Sequence, residues 1–463
     1  MIVPFVMTML VISKQPYLWN FYTLAQNIAK KQKGVIIAQE EYFTAPSEFE
    51  KQARKEVCDE NFMFRFGYDK PTDKYVQSLD GYKIPSSIEE ELVKKLGSYN
   101  TAQLYYLTEY WEELGELLEK YISDIEKKYG EKIEAFISLC HCHTLQTVAE
   151  KHGIRVIHTE LGALREPAYI RTMYLDYNNL YGNSSAEERY EKFCKEREQK
   201  EVRIFSSSEI LSLMYQKPFL KYLTRLSEKP KYKMGVALGY TTWPMFRVNT
   251  DINDEELLYT VSRYYTRDEF ITRKHPSDPA SAQYPAYDYS KDTDSANTVE
   301  FILKCERIAS LGSNVSFEAM LYGRTPYTLT YYGPYYKSKH DISDTGNYKV
   351  EDSYISFYTF GYLAPYEMAM DMDYIKWRLK NPSETEIYER HLEYYLKVRG
   401  IKKSDLSVAD ITSLVMKKRG FNEKKDCDFS KRKAPCVKSA RDYMLEIEDL
   451  RKRLQKYEQE AKP

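Results

Sequence analysis

A short segment with polar side chains ahead of an apolar helix is the first candidate for chemistry. The sequence SLGSNVSFEAMLYGRTP occupies residues 310–326. Ser313, Asn314 and Ser316 precede apolar residues at the i, i+3, i+4 spacing of one helix face. Ser313 suits the N-cap of this helix, and Gly323 suits its end. The N–H groups at the helix start, with two hydroxyls beside them, could bind a phosphate, although the same residues would also serve an ordinary capped helix.

A second candidate is the histidine of ITRKHPSDP, which follows a predicted strand. Arg273 and Lys274 come directly before His275, and Pro276 would stiffen the turn that holds the ring. An imidazole in this position can donate a hydrogen bond to a phosphate oxygen. The alternative is a loop histidine with no special role.

A third candidate is a carboxylate at the end of the predicted strand IRVIH. Glu160 lies where this strand passes into a loop, and Gly162 beyond it lets another group approach closely. A carboxylate at such a point can act as general acid or base. The structural alternative is a helix cap or an ion pair with Arg165.

The run LCHCHT contains residue types that bind metals. His141 and His143 alternate with cysteines in it. No second cluster of matching spacing occurs in the sequence, so a loop at the end of a strand is favoured and no metal site is predicted. In such a loop, His141 or His143 could face an acceptor substrate.

Composition excludes several classes of protein. The 463 residues carry a net charge of −1, which gives no indication of a nucleic-acid binder. The seven cysteines are scattered without a disulfide framework, as expected in a reducing cytoplasm. The opening MIVPFVMTMLVIS lacks a basic start and a small-residue cleavage site, so we expect a buried first strand and not a signal peptide. No other stretch could span a membrane.

Short apolar runs alternate with amphipathic helical stretches, which is typical of α/β domains with parallel sheets. The predicted strands are MLVIS, GVIIAQ, EAFISLC and IRVIHTE in the first half and MGVALG, EFITRKHP, ERIASLG and TPYTLT in the second. Helices are predicted over 17–32, 103–128, 186–202 and 365–400, with a polar linker at 227–233. The expected domains are 1–228 and 229–365, followed by helices over 366–401 that pack back on the core and a tail over 402–463.

The tail combines positive charge with a heptad pattern. Residues 417–438 hold nine Lys or Arg against three acidic residues, and apolar residues follow at a/d spacing over 440–461. The charge predicts attraction to an anionic membrane surface, although a solvated linker is an equally good interpretation. The heptads predict a helical partner, either a second copy of the chain or another protein.

The three motifs together resemble those of the capsule-biosynthesis and Kdo transferases of GT-B fold, and more distantly those of bacterial sialyltransferases. Glu160-Leu161-Gly162 is similar to the acidic-Gly motif of their first domain. His275-Pro276 is similar to the HP motif of their second domain, and Ser313 to Ser316 with FEA and GRTP is similar to the Ser-rich helix start that follows. The resemblance spans roughly residues 135–335. It implies two facing Rossmann-like domains, with a C-terminal helical extension.

This resemblance implies a glycosyltransferase of surface-polysaccharide synthesis that acts in the cytoplasm or at the inner face of the membrane. The donor would be a CMP-activated acidic sugar such as Kdo, and the acceptor a glycan or lipid-linked glycan, with no cofactor, metal or nucleic acid. Glu160 would be the acid/base and His275 the second catalytic residue. The donor-binding residues would be His275, Pro276, Lys274, Ser313, Asn314, Ser316 and Glu318, the last reaching the ribose. The acceptor-side residues would be His141, His143 and Arg165.

One departure from the family pattern leaves the mechanism open. Retaining Kdo transferases of this kind carry an acidic residue after the first strand of the second domain. Here VALGYTTWPMFRVNTD has no carboxylate before Asp251, and Asp251 and Asp254 are the fallback candidates. Inverting chemistry, another nucleotide sugar, a sugar-nucleotide epimerase that binds a UDP-sugar, and a non-catalytic scaffold of a synthesis complex stay as alternatives.

Overall fold

The computed structural model contains two α/β units, each built on its own sheet. It describes residues 1–7, 24–43, 72–139, 141–180, 182–239, 250, 252–275, 285–330, 333–407, 410–421 and 426–427. The predicted α/β fold class is confirmed, with two such units followed by C-terminal helices. The described residues contain no helix with the length and apolar character needed to cross a membrane.

The first sheet has seven strands in the order β11-β6-β5-β4-β1-β2-β3. Their bounds are β1 (Ile2–Val6), β2 (Val35–Gln39), β3 (Asp80–Ile84), β4 (Ala135–Leu139), β5 (Arg155–Leu161), β6 (Thr172–Asp176) and β11 (Leu363–Pro365). Strands β1 to β5 are parallel, whereas β6 pairs antiparallel with both β5 and the edge strand β11. Every residue of β1 is buried, which confirms a buried strand at Ile2–Val6.

Helices of this unit lie at α1 (Asp73–Ser78), α2 (Ser86–Leu96), α3 (Tyr99–Thr108), α4 (Glu112–Tyr129) and α5 (His143–Lys151). The prediction of a single helix over 103–128 is therefore wrong, because the helical conformation is interrupted between α3 and α4. The break places Trp111 in the core at 2% exposure. There its backbone N–H donates to the Thr144 hydroxyl at 2.8 Å. Burial of the indole and this hydrogen bond compensate for the interruption.

The second unit is a four-stranded parallel sheet in the order β10-β9-β7-β8. Helices α6 (Ala186–Arg197) and α7 (Ser207–Met214) lead to it through a 3-10 segment, Lys217–Arg225. Its strands are β7 (Tyr232–Ala237), β8 (Phe270–Arg273), β9 (Cys305–Ser310) and β10 (Thr325–Thr328). Its helices are α8 (Asp254–Tyr264), α9 (Pro285–Ser290), α10 (Thr298–Leu303) and α11 (Val315–Leu321). All four strands predicted for this half are present.

The chain returns to the first sheet earlier than the predicted boundary at residue 365. After α12 (Asp352–Phe357) and a π-helical turn (Tyr358–Tyr362), β11 pairs with β6. This pairing satisfies backbone groups at the edge of β6, which explains why the segment belongs with the first unit. Further helices are α13 (Tyr366–Ala369), α14 (Met372–Arg378), α15 (Glu384–Arg399) and α16 (Ile411–Lys418).

A buried ion pair anchors the start of α15 to α6. The Arg189 guanidinium donates to the Glu384 carboxylate at 2.9 Å and to the Gly361 carbonyl at 2.9 Å. Because both side chains are almost fully enclosed, loss of either would leave a buried charge unpaired. The predicted packing of the helices beyond 366 on the core thus has a specific anchor.

Several sequence predictions fall outside the described residues. These are the strand MLVIS, Pro276, Asp251 and most of the tail, including its heptads. Within the predicted tail, however, α16 packs into the core, and Ile411 and Val415 have no exposed surface. The tail therefore begins after this helix and not at residue 402.

Ile411→Ala should lower the free energy of unfolding by about 2–5 kcal/mol, because it removes a fully buried side chain and leaves a cavity. Lys417→Ala, on the exposed face of the same helix, is the control and should change stability by less than about 0.5 kcal/mol. Urea unfolding measures both. Equal stability of the two variants would contradict the core position of α16.

Candidate functional site

The second sheet brings two of the sequence motifs to one edge. Strands β8 and β9 flank β7 in parallel, so their carboxyl ends meet on the same side of the sheet. His275 lies two residues beyond β8, and Ser313 lies three residues beyond β9. Ligands of open α/β sheets bind at this kind of edge. Lys274 is exposed there, whereas Arg273 pairs with Asp292 at 3.2 Å.

The turn from β9 into α11 is built by local hydrogen bonds. Its backbone takes a positive φ of 98° at Gly312, a conformation that favours glycine. The Ser313 hydroxyl accepts from the Val315 N–H at 3.3 Å. The helix begins at Val315 with Asn314 as its N-cap, one residue later than predicted, and Gly323 follows its end with a φ of 67°, as predicted.

Ser316 is part of the packing of α11 and does not face solvent. Its side chain is fully buried. Its hydroxyl lies 2.8 Å from the Ser310 hydroxyl and accepts from the Thr328 hydroxyl at 2.8 Å. The phosphate contact predicted for Ser316 would require its hydroxyl to leave both partners. In this arrangement Ser316 ties the helix to β9 and β10.

Glu318, one turn into α11, points toward the first unit. Its carboxylate accepts a hydrogen bond from the Tyr169 hydroxyl at 2.8 Å and is 9% exposed. Burial raises the pKa of Glu318 to about 7, while the Tyr169 hydrogen bond and the charges of Arg165 and Arg273 act in the opposite direction. The predicted contact with a ribose would form beside this bond between the units.

Glu160 lies at the end of β5, opposite Tyr174 of β6. The residue keeps part of its surface in solvent, yet the protein packed around its carboxylate raises the pKa of Glu160 to about 7. The charge of Arg165 partly opposes this rise. A side chain at Gly162 would collide with the Thr172 side chain and backbone, at 2.2 and 2.9 Å, which confirms the predicted close approach.

Arg165 therefore acts electrostatically on both carboxylates, one from each unit. Its side chain is exposed, and within the described part of the chain no carboxylate lies within ion-pair distance of it. An exposed guanidinium whose charge acts on two carboxyl groups of raised pKa is suited to binding an anionic ligand. The arrangement combines anion recognition with two groups that can exchange protons at neutral pH.

Tyrosine side chains complete the site. The Asn314 side-chain oxygen accepts from the Tyr174 hydroxyl at 2.9 Å and the Tyr335 hydroxyl at 2.6 Å. The hydroxyls of Tyr174 and Tyr358 are 2.8 Å apart. The 44 tyrosines of the sequence were the only available signal, since nothing in it shows which of them face the site.

The two histidines predicted on the acceptor side follow β4, next to β5. The His141 ring centroid lies 6.3 Å from that of His143 and 5.3 Å from that of His158. Burial lowers the pKa of His141 to about 3, and the neighbouring histidines add to the effect. Nowhere among the described side chains do three or more His, Cys, Asp or Glu form a group that could hold a metal ion.

Residues 5–185, which contain Glu160 and Arg165, match a family model described as the Glycosyltransferase 99 family N-terminal domain. The match covers most of the first unit, which is therefore similar to that domain. Among curated protein sequences, none matches the chain.

Solved structures with a similar course of the chain include transferases and epimerases. The beta Kdo 2,7 transferase of Thermosulfurimonas dismutans KpsC is 15% identical, with a TM-score of 0.36, over 56% of this chain and 90% of that one. The beta Kdo 2,4 transferase of the same KpsC is 11% identical, with a TM-score of 0.31, over 51% and 86%. The UDP-GlcNAc 2-epimerase of Neisseria meningitidis is 12% identical, with a TM-score of 0.29, over 86% and 99%.

The raised pKa values of Glu160 and Glu318 predict how stability depends on pH. The folded protein keeps protons on carboxyls that ionise near 4.5 in the unfolded chain, so the free energy of unfolding falls as pH rises from about 4.5 to about 7. Glu160→Gln and Glu318→Gln should each reduce this fall, because an amide does not ionise.

Urea unfolding across this pH range measures the effect, with Glu255→Gln on the exposed face of α8 as control. The control should keep the wild-type pH dependence. If all three variants follow the wild-type curve, these two carboxyls do not titrate as the structure indicates.

Proposed function

We propose that the protein is a glycosyltransferase that moves an acidic sugar, Kdo or a related nonulosonate, from a CMP-activated donor to a glycan acceptor. The match of residues 5–185 to a glycosyltransferase family domain supports the reaction class. The resemblance of the ELG, HP and Ser-rich motifs to those of capsule and Kdo transferases supports the donor. The described geometry supports the positions of the reacting groups.

The observation that carries this proposal is the pair Glu160 and Glu318. One belongs to each α/β unit, and packing raises the pKa of each to about 7, with Arg165 acting on both. A general base or acid is most effective when its pKa lies near the working pH. Two such groups beside an exposed guanidinium fit a substrate that carries negative charge and must lose a proton as it reacts.

In the proposed reaction, the acceptor hydroxyl attacks the anomeric carbon of the donor sugar. The new bond joins the acceptor oxygen to that carbon, and the bond to the CMP phosphate oxygen breaks, with its electron pair leaving on the phosphate. Glu160 takes the acceptor proton, for which its carboxylate form is required. Direct attack of this kind inverts the anomeric centre and requires no second carboxylate as nucleophile.

The donor phosphate would bind at the edge formed by the ends of β8 and β9. His275, with Lys274 and Pro276 beside it, would act from one loop, and Ser313 from the other. His275 would also stabilise the charge that develops on the leaving phosphate. Ser316 would support this edge through its bonds to Ser310 and Thr328. Asn314 and Glu318 would accept hydrogen bonds from hydroxyls of the nucleotide sugar. These bonds would replace those from the tyrosines or form beside them.

The acceptor would enter along the first unit, past His141, His143 and Arg165. These residues follow the ends of β4 and β5, where Glu160 also lies. A lipid-linked glycan acceptor would place the protein at the inner face of the membrane. The basic segment 417–438 would then contact anionic head groups, and the heptads over 440–461 would join two copies of the chain.

CMP should raise the melting temperature of the protein more than UDP, GDP or dTMP at equal concentration, because a ligand that binds only the folded state stabilises it by mass action. Thermal-shift measurements test this, with His275→Ala and Ser313→Ala as variants that should need about tenfold or more CMP for the same shift. A clear preference for UDP or GDP would exclude the proposed donor.

Glu160→Gln should abolish transfer while leaving CMP binding nearly unchanged, because the amide keeps the shape of the side chain and cannot take a proton. Transfer of label from CMP-Kdo to a soluble glycan acceptor measures the reaction, and calorimetry with CMP measures binding. Glu150→Gln, on the exposed face of α5, is the control and should keep full activity. Near-normal turnover of Glu160→Gln would leave this residue a structural role only.

A further inference from the structure

Three tyrosine hydroxyls form a buried chain that ends on Glu318. The Tyr169 hydroxyl donates to Glu318 at 2.8 Å and lies 2.8 Å from the Tyr322 hydroxyl. The Tyr322 hydroxyl in turn contacts that of Tyr215. None of the three tyrosines is more than 5% exposed, so water does not substitute for these partners.

The hydrogen-bonded tyrosines connect the two units. Tyr169 and Tyr215 belong to the segments that follow β5 and α7, and their rings stack at a centroid distance of 5.4 Å and an angle of 11°. Glu318 lies within α11 of the second unit, and Tyr322 is the C-cap of that helix. Tyr169 is further fixed through its backbone N–H, which donates to the Arg165 carbonyl at 3.1 Å.

An ionised Glu318 sets the direction of every hydrogen bond in this chain. A carboxylate only accepts hydrogen bonds, so the single hydroxyl hydrogen of Tyr169 must be donated to Glu318. Tyr169 must then accept from Tyr322, and Tyr322 must accept from Tyr215. Hydrogen bonds aligned in this way polarise one another, and the bond to the charged end is the strongest.

We propose that Tyr169 is a positioning residue that holds the Glu318 carboxylate ionised and oriented toward the first unit, with Tyr322 and Tyr215 reinforcing its hydrogen bond. The groups that act on Glu318 are the three tyrosines of the chain and the guanidiniums of Arg165 and Arg273. Burial favours the neutral acid, and the Tyr169 hydrogen bond and the two arginines favour the carboxylate. Tyr169 is the one of these groups that donates directly to Glu318 in the described contacts.

The role of the Tyr169–Glu318 hydrogen bond in catalysis rests on the proposed function, in which the Glu318 carboxylate accepts a hydrogen bond from the nucleotide-sugar donor. Because Tyr169 belongs to the other unit, the Glu318 carboxylate receives this hydrogen bond only when the two units are in contact. Nucleotide binding by the second unit would thus depend on a residue of the first.

A double-mutant cycle between Tyr169→Phe and Glu318→Gln tests the contact without requiring activity. Unfolding by urea is measured at about pH 5.5, where Glu318 is protonated, and at about pH 8.5, where it is ionised. We expect a coupling of about tenfold or more in the unfolding constant at the higher pH, and a clearly smaller coupling at the lower pH. Tyr388→Phe is the matched control, since Tyr388 is also buried but donates to the Arg203 carbonyl at 2.8 Å.

Coupling that is absent, or that is equal at the two pH values, would overturn the proposal, because a purely structural tyrosine has no pH-dependent coupling to Glu318. Should Tyr169→Phe not fold, Tyr322→Phe in the same cycle should show coupling of the same sign and smaller size, and its absence would overturn the proposal equally.

The second readout is the pH dependence of kcat/KM for transfer. Tyr169→Phe should move the acidic limb to higher pH by about one unit, and Tyr388→Phe should leave it in place. An unmoved limb would overturn the role of Tyr169 in catalysis. If no transfer or CMP binding is found in the wild-type protein, the proposed function fails, while the unfolding cycle still decides whether Tyr169 holds Glu318.

Discussion

The hydrogen bond from Tyr169 to Glu318 offsets the unfavourable free energy of burying the Glu318 carboxylate, a burial that the fold itself requires. Packing α11 between β9, β10 and the first unit encloses a carboxylate at 9% exposure, and a buried charge without donors is strongly unfavourable. The first unit supplies the donor. Its loop must therefore be placed accurately, and this depends on the close approach at Gly162, where a side chain would collide with Thr172.

The return of the chain to the first sheet supports the same junction. Strand β11 caps the edge of β6, and the π-helical turn before it brings Tyr358 to Tyr174 at 2.8 Å. Tyr358 also stacks on Phe317 of α11 at a centroid distance of 3.9 Å. One aromatic cluster thus holds β6 and α11 in a fixed relation, and Asn314 and Glu318 are oriented by it. The hydrogen bonds of the candidate site and the packing of the core thus use some of the same side chains.

Sequence patterns predicted the parallel strands and the order of the motifs, because buried apolar runs and alternating helices leave a clear signal. They placed Glu160 at a strand end and Gly323 at a helix end for the same reason. They could not predict that Ser316 is buried, since its bonds to Ser310 and Thr328 depend on how α11 packs. The edge strand β11 was missed because its three residues carry no distinctive pattern, and β6 beside it was missed as well. Tyr169 was missed because its partner lies 149 residues away.

In the proposed function, Glu160 and Glu318 are two carboxyls that titrate near neutral pH at the junction that would bind the nucleotide. Infrared difference spectroscopy measures this directly, since a protonated carboxyl and a carboxylate absorb at separate frequencies. Spectra of the wild-type protein minus Glu160→Gln and minus Glu318→Gln, recorded across pH with and without CMP, isolate each group. The account predicts that both groups titrate near pH 7 and that CMP shifts the titration of Glu318. Titration of both groups near 4.5, unchanged by CMP, would contradict it.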